Sequence, residues 1–474
     1  MIYMHWVFIL IYVVITLAAI IAVLMDNRSP VKTLAWILVL AFLPIIGFVF
    51  YIFFGQNTRR ERMISKHGMD ELTKRSMLEF LGQQNLKLPV EHQGLIKLFM
   101  NQNMAMPFKD NQMEIYASGY DFIPALLNAI HAAKDHIHIE SYILEDDPVG
   151  RLITDALITK KREGVAVRLI YDDVGCWHVK DRFFERLREE EIEVRPFLPV
   201  RFPQFTSKVN YRNHRKVCVI DGTVGFIGGM NLAMRYVKGT RNGKRWRDTH
   251  LKITGGAVYG LQRSFLIDWY FVDRTLINSR KFYPPVDSVL RNDCLAQVVT
   301  SSPVSQWPDI MQGYVRILNE AKDYVYMQSP YFMPTEPVMF AMQTAALSGV
   351  EVCLMIPRTT DSLFLDWASR SFVDEAIAGG VKVYLYEAGF LHSKILVSDD
   401  MLCSCGSTNV DFRSFENNLE ANVFIYDKSM ALRMKAMFED DMKDCFLLND
   451  VDSLKRPFAK RLWESFVRLF SPLL

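Results

Sequence analysis

A chain of 474 residues, half of them hydrophobic, is too long for one ordinary domain. Its slightly positive mean hydropathy is high for a soluble enzyme and modest for a polytopic transporter, so membrane and globular parts are expected together. A net charge of only +2 argues against a partner held by a global positive field, nucleic acid above all.

Trp6 to Met25 is a run of 20 uncharged residues, and Leu34 to Phe54 is a second of 21. At about 1.5 Å rise per residue each run spans roughly 30 Å, the hydrocarbon thickness of a bilayer. The first lacks the basic n-region and small-residue cleavage site of a signal peptide. The stretch Asp26–Lys32 is long enough only for a tight turn. A two-helix transmembrane hairpin over 1–58 is therefore expected, followed by a basic linker over 59–87. The linker carries Arg59, Arg60, Arg62 and Lys66, against Arg28 and Lys32 in the turn. The positive-inside tendency places everything after Phe54 in the cytosol, on the inner face of the cell membrane.

From about residue 88 strands and helices alternate. His136–Ile143 reads as a buried strand, Val149–Arg162 as a helix and Val165–Tyr171 as the next strand, a pattern of α/β layering. The order then repeats. Tyr324–Phe332 resembles the first strand, and Ala345–Pro357 the passage from helix to strand. His214–Asp221 and His392–Asp399 share the spacing H-x-K-x4-D, 178 residues apart. Each is followed by a glycine turn ending in asparagine, Asn231 or Asn409, and then by a carboxylate, Asp248 or Glu420. Four features in the same order are an internal duplication. We expect two pseudo-symmetric lobes, about 88–285 and 286–474, each a mixed sheet flanked by helices.

Strand alternation puts His214 with Lys216, and His392 with Lys394, side by side on one face, with Val219 and Val397 expected to follow on it. If the lobes bring both motifs together, one imidazole attacks a phosphorus and the other protonates the leaving oxygen. Lys216, Lys394, Asn231 and Asn409 would then hold the equatorial phosphate oxygens. Asp248 and Glu420 would fix the imidazole tautomers. Asp221 and Asp399 are counted with the catalytic set, with capping of the turn after each strand as the alternative. No cofactor is needed, and no zinc-like spacing exists. Cys403-Ser404-Cys405 is a lone C-x-C, and the seven scattered cysteines suit reduced thiols.

Two basic stretches remain. Arg241, Lys244, Arg245, Trp246 and Arg247 either meet anionic headgroups or form a solvated loop. Lys455, Arg456, Lys460, Arg461 and Arg468 interleave with Phe458, Leu462, Trp463, Phe466, Val467 and Phe470 at helical spacing. Such a helix docks on the second lobe, with partial contact to the membrane interface.

The paired H-x-K-x4-D stretches with G-G/S-x-N turns resemble the phospholipase D superfamily, over roughly 110–430. The surroundings narrow this: two apolar runs, Asn27-Arg28-Ser29-Pro30, Asn213-His214-Arg215-Lys216, Gln328–Phe332, Gly389–Lys394 and Asp411–Phe415 are together similar to the bacterial cardiolipin synthase family. Glu416–Glu420 departs from that family's pattern, although Glu420 keeps its place. The resemblance implies a phosphohistidine intermediate. It also implies two molecules of phosphatidylglycerol as substrates in the bilayer, with cardiolipin and glycerol as products. A hydrolase, or a transferase using another alcohol, is the alternative. Pseudo-symmetry leaves open which histidine attacks.

Overall fold

The computed structural model describes residues 2–25, 30–43, 47–48, 50–51, 72, 86–200, 211–240, 243–286, 294–448 and 456–473. The hairpin turn at Asp26–Ser29, the linker bases Arg59, Arg60, Arg62 and Lys66, and also Arg241 and Lys455 lie outside the described residues. Two compact units divide the chain: 1–62 with 200–211, and 63–199 with 212–474.

In the first unit, α1 (Ile2–Met25) and α2 (Pro30–Phe42) meet through Ala19, Val23 and Leu40, and Tyr51 joins the same cluster. Trp36 packs edge-on to Tyr51 at 5.5 Å. Most other described apolar side chains of this unit are exposed. Among the described residues, no helix is long and apolar enough to cross a membrane.

The second unit holds both lobes. Strands β1 (Pro107–Phe108), β2 (Gln112–Tyr116), β3 (His136–Ser141), β4 (Ala166–Asp172) and β5 (Glu193–Phe197) come first. They are followed by β6 (Lys216–Ile220), β7 (Val224–Gly228), β8 (Arg245–Arg247) and β9 (His250–Thr254). The second half supplies β10 (Leu295–Ser301), β11 (Tyr324–Gln328), β12 (Phe332–Met333), β13 (Glu351–Pro357), β14 (Lys382–Tyr386) and β15 (Gly389–Leu391). It ends with β16 (Ile395–Ser398), β17 (Leu402–Gly406), β18 (Val410–Asp411), β19 (Glu420–Tyr426) and β20 (Cys445–Leu448).

The first sheet runs β2-β9-β7-β6-β3-β4-β5 and the second contains β10-β19-β17-β16-β11-β13-β14 in the same order. Every neighbouring pair matches in sense: the first four are antiparallel, and the two beyond β3 or β11 are parallel. The duplication is therefore one of topology. The second sheet adds β1 at one edge and β20 at the other. Because β1 pairs with β10 and the helix Gln93–Asn103 buries Leu95, Ile96 and Phe99 in the second lobe's core, residues 93–108 belong to that lobe. The sequence division had counted them with the first.

Helices cover the outer faces, as the parallel pairs require. The helix Pro148–Arg162 starts where Asp147 accepts the Gly150 amide at 2.9 Å, an N-cap the sequence spells out. It buries Ile153 and Leu157 against Ile137, Val167 and Leu169. The inner faces pack on each other: Val217, Val219, Leu251 and Ile253 share a core with Ile395, Val397, Cys405 and Val423. Val219 and Val397 thus face the opposite side of the strand from the histidine and lysine. They stand at odd offsets from the histidine, and a period of two sends them inward; Cys218 and Leu396 lie in the outer cores instead. All seven cysteines are free thiols.

Candidate active site

The sheet-to-sheet core brings the two motifs together through short backbone links. The residue before His214 bridges in parallel to Leu419, and the His214 amide donates to the Leu419 carbonyl at 3.0 Å. In the other half, β15 pairs in parallel with β8, and the His392 amide donates to the Arg247 carbonyl at 2.7 Å. Leu419 precedes Glu420, and Arg247 precedes Asp248. Each histidine is thereby seated beside the carboxylate of the opposite lobe.

The side chains complete the exchange. His214 Nδ1 lies 3.0 and 3.1 Å from the two Glu420 oxygens, and His392 Nδ1 lies 2.6 Å from Asp248 Oδ2. With the Nδ1 proton directed at a carboxylate, Nε2 keeps its lone pair. The second oxygen of each acid is also held. Ser407 Oγ donates to Glu420 Oε2 at 2.5 Å, and the Thr249 amide donates to Asp248 Oδ1 at 2.7 Å. Gly229 stands where the other half has Ser407, and a Cβ there would collide with the Asp248 carboxylate.

Both histidines line one cavity of about 480 Å³, together with Asn231 and Asn409. Asn231 accepts the Ile143 amide at 3.1 Å and donates to Tyr236 Oη at 2.5 Å. Asn409 is bonded to Asp411. Lys216 and Lys394 sit behind the imidazoles: each Nζ donates to the backbone carbonyl of its own histidine, and Lys394 Nζ is also 3.1 Å from His392 Nδ1. Lys216 faces the Tyr142 ring at 5.3 Å.

Asp221 and Asp399 lie elsewhere, and the geometry favours their structural alternative. Asp221 accepts the amides of Lys134, Asp135 and His136 at 2.8 to 2.9 Å. Asp399 does the same for Lys322, Asp323 and Tyr324 at 2.9 to 3.0 Å. Each therefore ties the end of its motif strand to the start of the neighbouring strand. Both have positive φ, 53° and 50°, a conformation aspartate tolerates better than most residues. At about 3.3 Å per residue they stand roughly 15 Å from the lysines.

Burial sets the electrostatics. It lowers the His214 pKa to about 4 and that of His392 to about 3; for His392 the Lys394 charge adds to the effect, while the partner carboxylates oppose it. It also lowers Lys216 to about 7 and pulls Lys394 down. Burial alone would raise the two acids. For Asp248 the Lys394 charge and His392 outweigh it, and for Glu420 His214 and Lys216 do, so both stay below the usual carboxylate range. Both imidazoles are consequently neutral. An arriving phosphodiester anion raises both pKa values and lets one ring hold the proton an acid needs.

Sequence reasoning missed several lining residues: Tyr142, Tyr236, Tyr331, Arg212, Arg235 and Asp361. Arg235 was within reach of it, since it follows Asn231 by the same four residues that separate Arg413 from Asn409. The basic stretch at 244–247 divides. Arg245 is exposed, Trp246 turns inward to 5.7 Å from the His392 ring, and Arg247 is buried in an ion pair with Asp441. Arg247 is thus unavailable to a headgroup. Among the described residues no cluster of His, Cys, Asp or Glu could hold a metal ion.

The family described as cardiolipin synthase, PLD-like domain, matches residues 126–244 and 314–442, one stretch within each lobe. The chain belongs to the cardiolipin synthase family of the phospholipase D superfamily. A second family description, phospholipase D-nuclease N-terminal, matches 14–56. The major cardiolipin synthase of Bacillus subtilis (strain 168) is 36% identical over 98% of this chain and 98% of its own length. A cardiolipin synthase of Clostridium perfringens (strain SM101 / Type A) is 37% identical over 95% of each. The crystal structure of phosphatidylserine synthase from Haemophilus influenzae Rd KW20 covers 80% of this chain and all of its own. At a TM-score of 0.63 and 16% identity it speaks for the fold alone.

Proposed function

We propose that this chain is a phospholipid transferase that joins two phosphatidylglycerol molecules into cardiolipin and glycerol. One observation carries the reading: two imidazoles, one from each lobe and each backed by the other lobe's carboxylate, line a single cavity. The membership of the family supports the choice of substrate.

Nε2 of one histidine attacks the phosphorus of a first phosphatidylglycerol. The P–O bond to glycerol breaks, and the other imidazole, charged once the diester is bound, gives its proton to the leaving oxygen. Glycerol departs. The now neutral second imidazole takes the proton from the terminal glycerol hydroxyl of another phosphatidylglycerol. That oxygen attacks the phosphohistidine, and the P–N bond breaks to give cardiolipin. Glu420 and Asp248 hold the rings and stabilise the imidazolium that forms. Lys216 and Lys394 place positive charge behind the site, and Asn231 and Asn409 are the donors for equatorial oxygens. His214 as nucleophile with His392 as acid and base is the order we write; the mirror order uses the same atoms.

Residues 1–58 would anchor the enzyme in the cell membrane as a two-helix hairpin, joined by 59–87 to cytosolic lobes. The uncharged runs at 6–25 and 34–54 and the family match at 14–56 support this. Protease applied to sealed inside-out and right-side-out vesicles tests the orientation: the lobes should be cut only from the cytosolic side. The activity test supplies purified protein with phosphatidylglycerol alone. Glycerol and cardiolipin in equal amounts are expected. Phosphatidic acid without cardiolipin would make the enzyme a hydrolase.

A further inference from the structure

The cavity of about 480 Å³ has room for headgroups and a diester. It has none for the acyl chains, each of which occupies about half of a roughly 30 Å hydrocarbon core. The chains must stay outside the mouth, so the surface around the mouth decides how a lipid is presented.

That surface is built twice by the duplication. The loop after β4 contributes Val174 to the cavity, and one turn on, Trp177 stands 66% exposed with its amide bonded to the Val174 carbonyl. The corresponding loop after β13 contributes Asp361, and the helix that follows, Leu363–Ala378, contributes Leu365. Leu363 on that helix is 73% exposed. An apolar residue projects from the same place on each lobe.

The second lobe extends this rim. The last α-helix among the described residues, Phe458–Arg468, is fixed to Leu363–Ala378 by Arg456 just before it to Asp374, by Arg468 to Glu375, and by Trp463 edge-on to Trp367 at 5.8 Å. Phe470 reaches Phe364 at 6.3 Å. The expected docking on the second lobe is present, yet only Glu464 and Val467 of the helix are buried. At 100° per residue Phe458, Leu462 and Phe466 fall in an arc of about 80° turned away from the buried Glu464 and Val467, and Leu469 follows directly after the helix. Leu469 is 74% exposed. Exposed Lys460 and Arg461 flank the arc.

We propose that this rim is a docking surface for an anionic phospholipid bilayer. Trp177, Leu363 and the outward arc of the last helix enter the interface, with Lys460 and Arg461 at the level of the headgroup phosphates. The proposal rests on the phosphatidyl-transfer reading above. Its occupant follows from charge complementarity and from continuity with a cavity whose substrate is itself an anionic lipid. An aromatic and leucine face edged by Lys and Arg is the composition that lies in such an interface.

The test labels Leu469→Cys in the full-length protein with a polarity-sensitive thiol dye; six of the seven native cysteines are buried, and labelled wild type corrects for Cys445. Leu432→Cys, on the helix Lys428–Met442, serves as a control. In vesicles of phosphatidylglycerol and phosphatidylcholine the Leu469 label should shift to the blue and be quenched by headgroup-proximal nitroxide lipids. The Leu432 label should stay water-like. A water-like Leu469 label in vesicles that are making cardiolipin overturns the docking. A blue shift that appears without lipid, on concentrating the protein in detergent, marks a contact between copies and also overturns it. The double variant Leu462→Glu/Leu469→Glu should lower the ratio of turnover on vesicles to turnover on monomeric short-chain phosphatidylglycerol by about tenfold; an unchanged ratio counts against the proposal. The label reads position without turnover, so absence of cardiolipin sinks the functional reading and leaves the docking to be judged by fluorescence.

Discussion

His214 and His392 are kept neutral by burial while each directs its Nδ1 toward an acid, and the two effects work on different properties. Burial lowers the pKa and preserves the lone pair on Nε2; the carboxylate orients the ring and partly restores the pKa. Replacing either histidine by alanine should lower cardiolipin formation by about 10³-fold or more with little change in Tm, measured as product per folded protein. Glu420→Gln should cost about 10²-fold or more, because the amide neither orients nor stabilises an imidazolium equally well. It also removes the anion that raises His214, so the His214 pKa moves further down from about 4. The acid limb of kcat/KM assigned to that ring should shift to lower pH; a shift upward would contradict the pairing. Asp248→Asn should do the same through His392.

At the scale of elements, the motif strands are anchored at both ends by different residues. The histidine end is set by bridges to the other lobe, and the aspartate end by three amides of the neighbouring strand. Asp221→Ala and Asp399→Ala should each destabilise the fold by roughly 1–2 kcal/mol, since three amides, one of them part-buried, lose a charged acceptor and alanine tolerates the positive φ less well. The rate per folded molecule should persist. A full loss of turnover at unchanged Tm would restore the catalytic role the sequence had allowed them. The repeat made His214, Lys216, Asn231 and Asp248 legible with their partners, because a pattern seen twice needs no structure to be noticed. The phase of Val219 and Val397 was also present in the spacing, and counting offsets from the histidine shows it. Tyr142, Tyr236 and Tyr331 were not legible: an aromatic residue just past a strand, or on the short helix Arg235–Lys238, reads equally well as core. That residues 93–108 join the second lobe depends on a pairing between distant strands, which no local pattern encodes.

At the scale of the whole catalytic unit, neither lobe owns a complete pair. His214 belongs to the first half and Glu420 to the second; Asp248 and His392 reverse the assignment. The sequence indicated which carboxylates serve the histidines but not that they are exchanged, since exchange is a property of sheet-to-sheet packing. The same burial has a cost in acid. His214, His392 and His250 have folded pKa values of about 4, 3 and 3, and His138 is also lowered well below its ordinary value. In the unfolded chain they take up protons near 6.5. Below that pH the unfolded state binds more protons, so stability falls as pH drops from about 6.5 toward 4. Tm should decline over that window, and above about pH 7 it should keep rising because Lys216 and Lys394, lowered by burial, are protonated in the unfolded chain; a flat Tm from pH 7 to 5 would show that these rings are already protonated in the fold.

The convergence of two imidazoles on one phosphorus is tested most directly by quenching the enzyme during turnover of headgroup-phosphate-labelled phosphatidylglycerol and mapping the label by peptide. The account predicts one acid-labile phosphatidyl group per chain, attached to His214 or His392, that disappears when a second phosphatidylglycerol is supplied and reappears in cardiolipin. Label on any other residue, or cardiolipin formed at full rate with no labelled histidine, would contradict it.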